Sequence, residues 1–407
     1  MSADWSIDGR AEVLAIRNRI REVVEYMKFE LCPGKELIEL TLGDPTCCGI
    51  LPPHPDVLKA VSDSVLSGLH NGYKMSKGSE EARQALADKY SSPGSVLSPD
   101  DVYLTHGCSG AIQFAFQALL SPGQNVLTPR PGFSVYNTMC SSLQIENRLY
   151  RLDPARTYEA DLTDLESKID SNTGAIVVNN PSNPCGSVYS HQHLMDILTL
   201  AEKYRLPIIA DEVYGNMTYS GNKFYQLGSI SESVPVLSCS SLAKIWLVPG
   251  WRLGWLVIHN KKGILRQSVY DSFNKLSTLT LGPCSLIQGA LPKILSVPQS
   301  WHDDVTRHIE CTALTCYNSL QKAPGLTPIK PQGAMYIMIE IDFSKFPDIP
   351  NISEFVQLLC KETSVKLMPG SCFETNTAIR IVTVDKKEKM QEACDRICEF
   401  CSNHFKP

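Results

Sequence analysis

The chain lacks an apolar run long enough to cross a bilayer; no stretch reaches the ~20 residues that a spanning helix needs. It also lacks an excess of either charge. Thirty-eight basic residues stand against 43 acidic ones, a formal net charge of −5 over 407 residues. That balance excludes the basic footprint of a nucleic-acid binder and the polybasic patch of a membrane-surface protein. The amino-terminal stretch has no apolar signal core and carries Asp4, Asp8 and Glu12, acids that transit peptides avoid. A cytoplasmic address is therefore expected. Internal repeats, heptad runs and low-complexity linkers are missing too. Cysteine is not scarce, with 15 residues, but they are scattered along a chain with no secretion signal. They are expected to be reduced thiols, many of them buried as small hydrophobes. Cys394, Cys398 and Cys401 recur at i, i+4 and i+7 near His404. That spacing is the core face of a helix, with no second ligand pair, so packing is favoured over zinc. The sequons at Asn216 and Asn351 have meaning only in a secreted protein.

What is present is an ordinary enzyme composition, 43% hydrophobic and 20% charged, in a chain long enough for two domains sharing a cleft. From Asp101 onward short apolar strands alternate with helices. The strands read as Val102–Thr105, Asn125–Thr128, Ala175–Asn179, Pro207–Ala210, Val236–Cys239 and Leu253–Ile258. Helices such as Ser109–Leu120, Asp161–Ile169 and Ser190–Tyr204 separate several of them. This is the pattern of an α/β fold with a mostly parallel sheet covered on both faces, whose ligands gather at the carboxyl ends of the strands. An amphipathic helix is expected over 12–27, a strand at Ile38–Leu42, and an α+β tail after residue 323. In that tail the strands are Ala334–Glu340, Val365–Met368 and Ile379–Val384, and the last helix is Lys386–Phe405.

The most informative stretch is Ser240–Trp255, SSLAKIWLVPGWRLGW. Lys244 sits there among Leu242, Ile245, Trp246, Leu247 and Val248. An isolated lysine is usually a solvated surface group, or one whose stem alone is buried. In a poorly solvated pocket its pKa falls, and a neutral amine attacks a carbonyl to form a Schiff base. Ser241 lies three residues before Lys244 and Arg252 eight after, with a bend at Pro249-Gly250 between. An amine, a hydroxyl and a guanidinium can converge on one phosphorylated carbonyl compound, and pyridoxal phosphate is such a compound.

With LAK-x-WLVPGWRLGW the chain resembles the fold-type I pyridoxal-phosphate aminotransferases, and the likeness runs over nearly its whole length. The resemblance implies a seven-stranded large domain over 56–289. It also implies a small discontinuous domain made of 1–55, with an amino-terminal arm, and 290–407. Lys244 would be joined to the pyridoxal 5'-phosphate aldehyde, and Ser241 and Arg252 would hold its phosphate. Ser240 and Ser241 stand where close members carry Gly-Gly, although Ser241 agrees with the wider family. Asp211, after the strand LPIIA, would pair with the ring nitrogen. Tyr214 would donate to the ring's phenolic oxygen, and so would Asn183 of NNPSNPCG, with Pro184 cis. Cys108 and Ser109 of GCSGA, at the start of a helix, would contact the phosphate. Phe133 of PRPGF would stack on the ring. Tyr73 would reach the phosphate bound by a neighbouring subunit, which makes the protein a homodimer. Arg380 of AIRIV and the Gly43 amide would hold the substrate α-carboxylate, next to Asn183. His106 is expected to be a structural histidine.

The activity so implied is transamination of aromatic L-amino acids, tyrosine foremost, with 2-oxoglutarate as acceptor. The same motifs serve alanine and kynurenine aminotransferases and carbon–sulfur lyases. A catalytically silent binding protein is the alternative from another class, and joint retention of Lys244, Asp211, Asn183, Tyr214, Arg252 and Arg380 argues against it.

Overall fold

The structure, a computed structural model, describes residues 5–407. A two-residue strand β1 (Ile38–Glu39) precedes the eight strands of one sheet. These are β2 (Val102–His106), β3 (Asn125–Arg130), β4 (Glu146–Asp153), β5 (Glu159–Ala160), β6 (Thr173–Asn179), β7 (Ile208–Asp211), β8 (Val236–Ser241) and β9 (Leu253–His259). The carboxyl-terminal third adds β10 (Leu326–Pro328), β11 (Tyr336–Ile341), β12 (Val365–Lys366), β13 (Met368–Pro369) and β14 (Ala378–Val382).

The large sheet runs β2-β9-β8-β7-β6-β3-β4-β5. From β8 to β4 every neighbouring pair is parallel; β9 is antiparallel to β8 and β2, and β5 to β4. Strands β6, β7 and β9 are apolar almost throughout because helices cover both faces, so neither set of side chains meets water. The sheet has eight strands where seven were expected; the additional one, β5, is a two-residue edge. Ser79 caps the helix Glu80–Tyr90 through its hydroxyl, and Pro55 opens the helix Pro55–Leu66, as their residue types favour.

The smaller sheet is antiparallel, in the order β10-β11-β14-β13. It packs against the helices Gln299–Leu320, Ile352–Thr363 and Lys387–His404. Cys394 and Cys401 are fully buried in that packing. β1 pairs in parallel with β12, which ties the amino-terminal segment to the carboxyl-terminal third.

Several local expectations change. The strand at Ile38–Leu42 shrinks to β1, because beyond Leu40 the backbone leaves β12 and the Thr41 carbonyl accepts from Arg380 instead. The single helix expected over 12–27 is broken into Ala11–Leu14, Arg19–Arg21 and a wider turn over Glu22–Tyr26. Val365–Met368 divides into β12 and β13, which join different sheets.

Candidate active site

Strands β6, β7 and β8 end side by side, and the turn after β2 opens next to them. These ends and the small sheet enclose a cavity of about 600 Å³. Lys244, Asp211, Asn183, Tyr214, Ser241, Arg252, Cys108, Ser109, Phe133, Gly43 and Arg380 all line it.

Lys244 follows β8 by three residues, on a loop in which Leu247 and Arg252 take left-handed backbone angles, φ 58° and 53°. Such angles are costly for residues with a Cβ and concentrate at functional loops. The Lys244 ammonium donates to the Gly43 carbonyl. Its surface is reached only through the cavity, and this burial pulls its pKa down to about 8, with Arg380 and Arg252 pushing the same way and Asp44 opposing. In the cofactor-free protein the lysine therefore releases its proton between about 8 and its ordinary 10.5, where the unfolded chain still holds it. The unfolded state binds more protons in that window, so stability rises with pH there. Thermal unfolding followed across the window should show this rise in the native sequence and a flatter course in Lys244→Met.

Asp211 is the last residue of β7 and is buried. Its Oδ2 accepts from Tyr136 Oη at 2.6 Å and its Oδ1 from Cys108 Sγ at 3.5 Å. Burial pushes its carboxyl pKa up, and these donors pull the other way. No cation offsets the charge, so the position favours a protonated ring nitrogen. Tyr136 was not foreseen. It sits on the helix Val135–Leu143, three residues beyond the expected Phe133, and burial beside Asp211 keeps its phenol protonated.

Asn183 precedes a cis proline, as expected; Arg130-Pro131 and Asn180-Pro181 are cis as well. Its backbone N–H donates to Asn179 Oδ1 at 2.7 Å, and its Oδ1 accepts from Arg380 Nη1 at 2.9 Å. Only its amide nitrogen remains to donate to a phenolic oxygen. Tyr214 Oη lies 2.6 Å from Tyr336 Oη, a second tyrosine that the sequence did not single out.

Arg380, on β14, is 1% exposed. Its guanidinium lies between the rings of Tyr336 and Phe373, 4.5 and 4.6 Å from their centroids. One arm donates to the Thr41 carbonyl and another to Asn183, while Nε has no partner. Burial pulls its pKa down and no carboxylate compensates it. A buried guanidinium without an anion is an anion site.

At the opposite end, the turn after β2 starts the helix Gly107–Leu119, whose first-turn amides make a second anion site. Arg252 Nη2 donates to Ser109 Oγ and to the His106 carbonyl, both at 3.3 Å. Ser241 is buried and accepts from the Ala243 N–H at 3.3 Å. His106 corrects its expectation. It is exposed and outside the cavity, and only its carbonyl serves the site. Gly107 has φ 74°, and a Cβ there would run into the Arg252 guanidinium. Gly107→Ala should therefore weaken cofactor binding about ten- to a hundredfold, from one lost charge-assisted contact of ~1.5–3 kcal/mol, while its backbone strain lowers stability by ~1 kcal/mol. Fluorescence titration with pyridoxal phosphate measures it.

Phe133 meets Tyr136 edge to face, with centroids 5.9 Å apart. Tyr73 is 93% exposed and does not line its own chain's cavity. Arg21, from the amino-terminal segment, does line it and was missed, because nothing in its local sequence separates it from the solvated arginines around it.

An amine with a lowered pKa thus stands between two anion sites, with an uncompensated carboxylate below it. This is the site of a lysine enzyme that holds a phosphorylated aldehyde, and the residues present fit pyridoxal phosphate. The family model for class I and II aminotransferases matches residues 35–397. Tyrosine aminotransferase of Mus musculus is 46% identical over 389 residues, covering 95% of this chain and 86% of the mouse protein. The Homo sapiens enzyme of that name is 45% identical over 404 residues, covering 99% of this chain and 89% of its own. The crystal structure of tyrosine aminotransferase from Leishmania infantum superposes with a TM-score of 0.95 at 30% identity, covering 99% of this chain and all of that one. The chain belongs to the class I and II aminotransferases, and its cofactor is pyridoxal 5'-phosphate.

Proposed function

We propose that the protein transfers the amino group of aromatic L-amino acids, tyrosine first and phenylalanine second, to 2-oxoglutarate. Its products would be 4-hydroxyphenylpyruvate and glutamate, formed in amino-acid catabolism. The observation that carries the chemistry is the pairing, in one cavity, of Lys244 with the uncompensated Arg380. The choice of tyrosine is supported by the names of the relatives that match over nearly the full chain.

Pyridoxal phosphate supplies an aldehyde that takes up the amino group and a ring that accepts the electrons left when the α-proton departs. Arg252, Ser241, Ser109 and the amides at Gly107–Ser109 would hold the phosphate. Asp211 keeps the ring nitrogen protonated, with Tyr136 and Cys108 holding the carboxylate in place. Phe133 would cover one ring face, and Tyr214 and Asn183 would donate to the phenolic oxygen. Arg380 orients the substrate through its α-carboxylate, near Gly43. Lys244, whose pKa is pulled down to about 8, would remove the α-proton as general base and return it as general acid at the aldehyde-derived carbon, two atoms away across the nitrogen. Three guanidinium groups line the cavity, those of Arg21, Arg252 and Arg380. With two assigned, Arg21 is the one placed to meet the second carboxylate of 2-oxoglutarate.

The reading includes a homodimer. Leu66, Leu69, Tyr73 and Leu281 are exposed, and the loop at His70–Ser76 packs against Gly282–Gly289, so these side chains share a face. A second copy covering that face would bring Tyr73 to its neighbour's phosphate. Light scattering should give twice the 45.1 kDa chain mass, and Tyr73→Ala should loosen the cofactor. The reading also places the protein in the cytoplasm, which its unpaired cysteines suit.

The test of substrate class is a donor panel of tyrosine, phenylalanine, aspartate and alanine with 2-oxoglutarate. Tyrosine should lead in kcat/KM. A lead by alanine, or pyruvate released from cysteine conjugates with no acceptor present, would overturn the assignment.

A further inference from the structure

A second cavity, of about 250 Å³, shares no lining residue with the first. Its walls nevertheless belong to the same strands and loops. Glu212 follows Asp211 in the chain, and Ile245 and Trp246 follow Lys244. The first turn of the long helix Gln299–Leu320 contributes Gln299 and His302.

Two of its ionisable groups have no salt-bridge partner. Glu212 is 4% exposed. Its Oε1 accepts from the Leu227 N–H at 2.8 Å, and the Ser238 hydroxyl is the other donor beside the carboxylate. Burial pushes its carboxyl up to about 7, and no cation offsets it. Lys89, on the helix Glu80–Tyr90, reaches the same cavity, with its ammonium 5.7 Å from the centre of the Trp246 ring. Burial alone moves its pKa, downward, with no acidic neighbour holding it up. His302 does not supply the missing positive charge. Its Nδ1 lies 3.1 Å from the Ile245 carbonyl, and burial keeps the ring neutral with a pKa of about 4.

A carboxylate and an ammonium therefore face one cavity without pairing with each other. Solvent reaches Lys89, an exposed residue at the cavity wall, but the buried Glu212 carboxylate has no cation to offset it. A molecule carrying both opposite charges at its two ends satisfies both. The aromatic walls, Trp246 and Phe224, suit the body of such a molecule and attract its cationic end. We propose that this cavity is a second binding site for a small zwitterion of the amino-acid class. Its ammonium faces Glu212 and its carboxylate faces Lys89. Bound there, it sits one residue from both Asp211 and Lys244, so occupancy of one cavity is felt in the other through the shared backbone.

The probe is N,N-dimethylglycine, a zwitterion whose tertiary amine keeps one N–H and cannot condense with an aldehyde. Tryptophan fluorescence of the holoenzyme reports binding, because Trp246 and Trp255 both line the cavity. Above neutral pH, saturable binding is expected. Glu212→Gln and Lys89→Met should each weaken it about tenfold, the effect of one lost charged partner, and Arg380→Met should leave it unchanged. Lys89 lies on an exposed helix face, so its variant carries the test even if Glu212→Gln folds poorly. Absence of saturable binding, equal binding in the Glu212 and Lys89 variants, or loss only in Arg380→Met would overturn the proposal. Because the readout does not involve turnover, it stands apart from the choice of tyrosine as substrate.

Discussion

Replacing Lys244 by alanine is expected to lower kcat by about four orders of magnitude or more, because general acid–base transfer alone contributes 10²–10⁴ and the covalent route is lost with it. The fold should survive. Lys244 is held by one bond to the Gly43 carbonyl, and its burial as a charged group costs stability. The phosphate grip of Arg252 and Ser109 and the Asp211 carboxylate are untouched, so the variant should still take up pyridoxal phosphate. Its cofactor would be removable by dialysis, without the covalent attachment expected of the native protein. Added methylamine should restore part of the activity, since a diffusing base can fill the space left by the side chain. Turnover within tenfold of native would remove Lys244 from its assigned role.

Arg380→Met is the second large effect. A bidentate guanidinium–carboxylate contact in a buried site is worth ~3 kcal/mol, which is a loss of roughly a hundredfold or more in kcat/KM. Most of it should appear as a raised KM for every amino donor, because all of them carry the α-carboxylate. Arg380→Lys should rescue little. The guanidinium is held flat between Tyr336 and Phe373 while donating to Thr41 and Asn183, and an ammonium cannot reproduce that planar fork. Equal loss toward amines that lack a carboxylate would show that Arg380 serves the fold instead.

Legibility in the sequence followed local contrast. Lys244 and Arg380 stood out because each is a charge inside an apolar strand or loop. β7 and β9 stood out because burial on both faces makes them continuously apolar. β4 was unreadable for the converse reason. It lies toward the sheet edge, and its sequence ENRLYRLD buries only Tyr150 and Leu152, so no apolar run marks it. Tyr136 and Tyr336 were unreadable for another reason. Tyrosine in a helix or strand is ordinary core, and only the folded approach of distant segments makes one a donor to Asp211 and the other the neighbour of Tyr214. Tyr73 and Ser241 were carried by resemblance, since an exposed tyrosine and a buried serine have no local mark of function.

The pairing of β1 with β12 has a consequence for how the molecule is made. Ile38–Glu39 leaves the ribosome more than three hundred residues before Val365–Lys366, and Arg380 later still. The large sheet, complete at His259, can form while the chain is being synthesised. β1, by contrast, must wait unpaired until β12 emerges. A nascent chain can thus assemble the phosphate grip and present Lys244 long before it can hold a substrate.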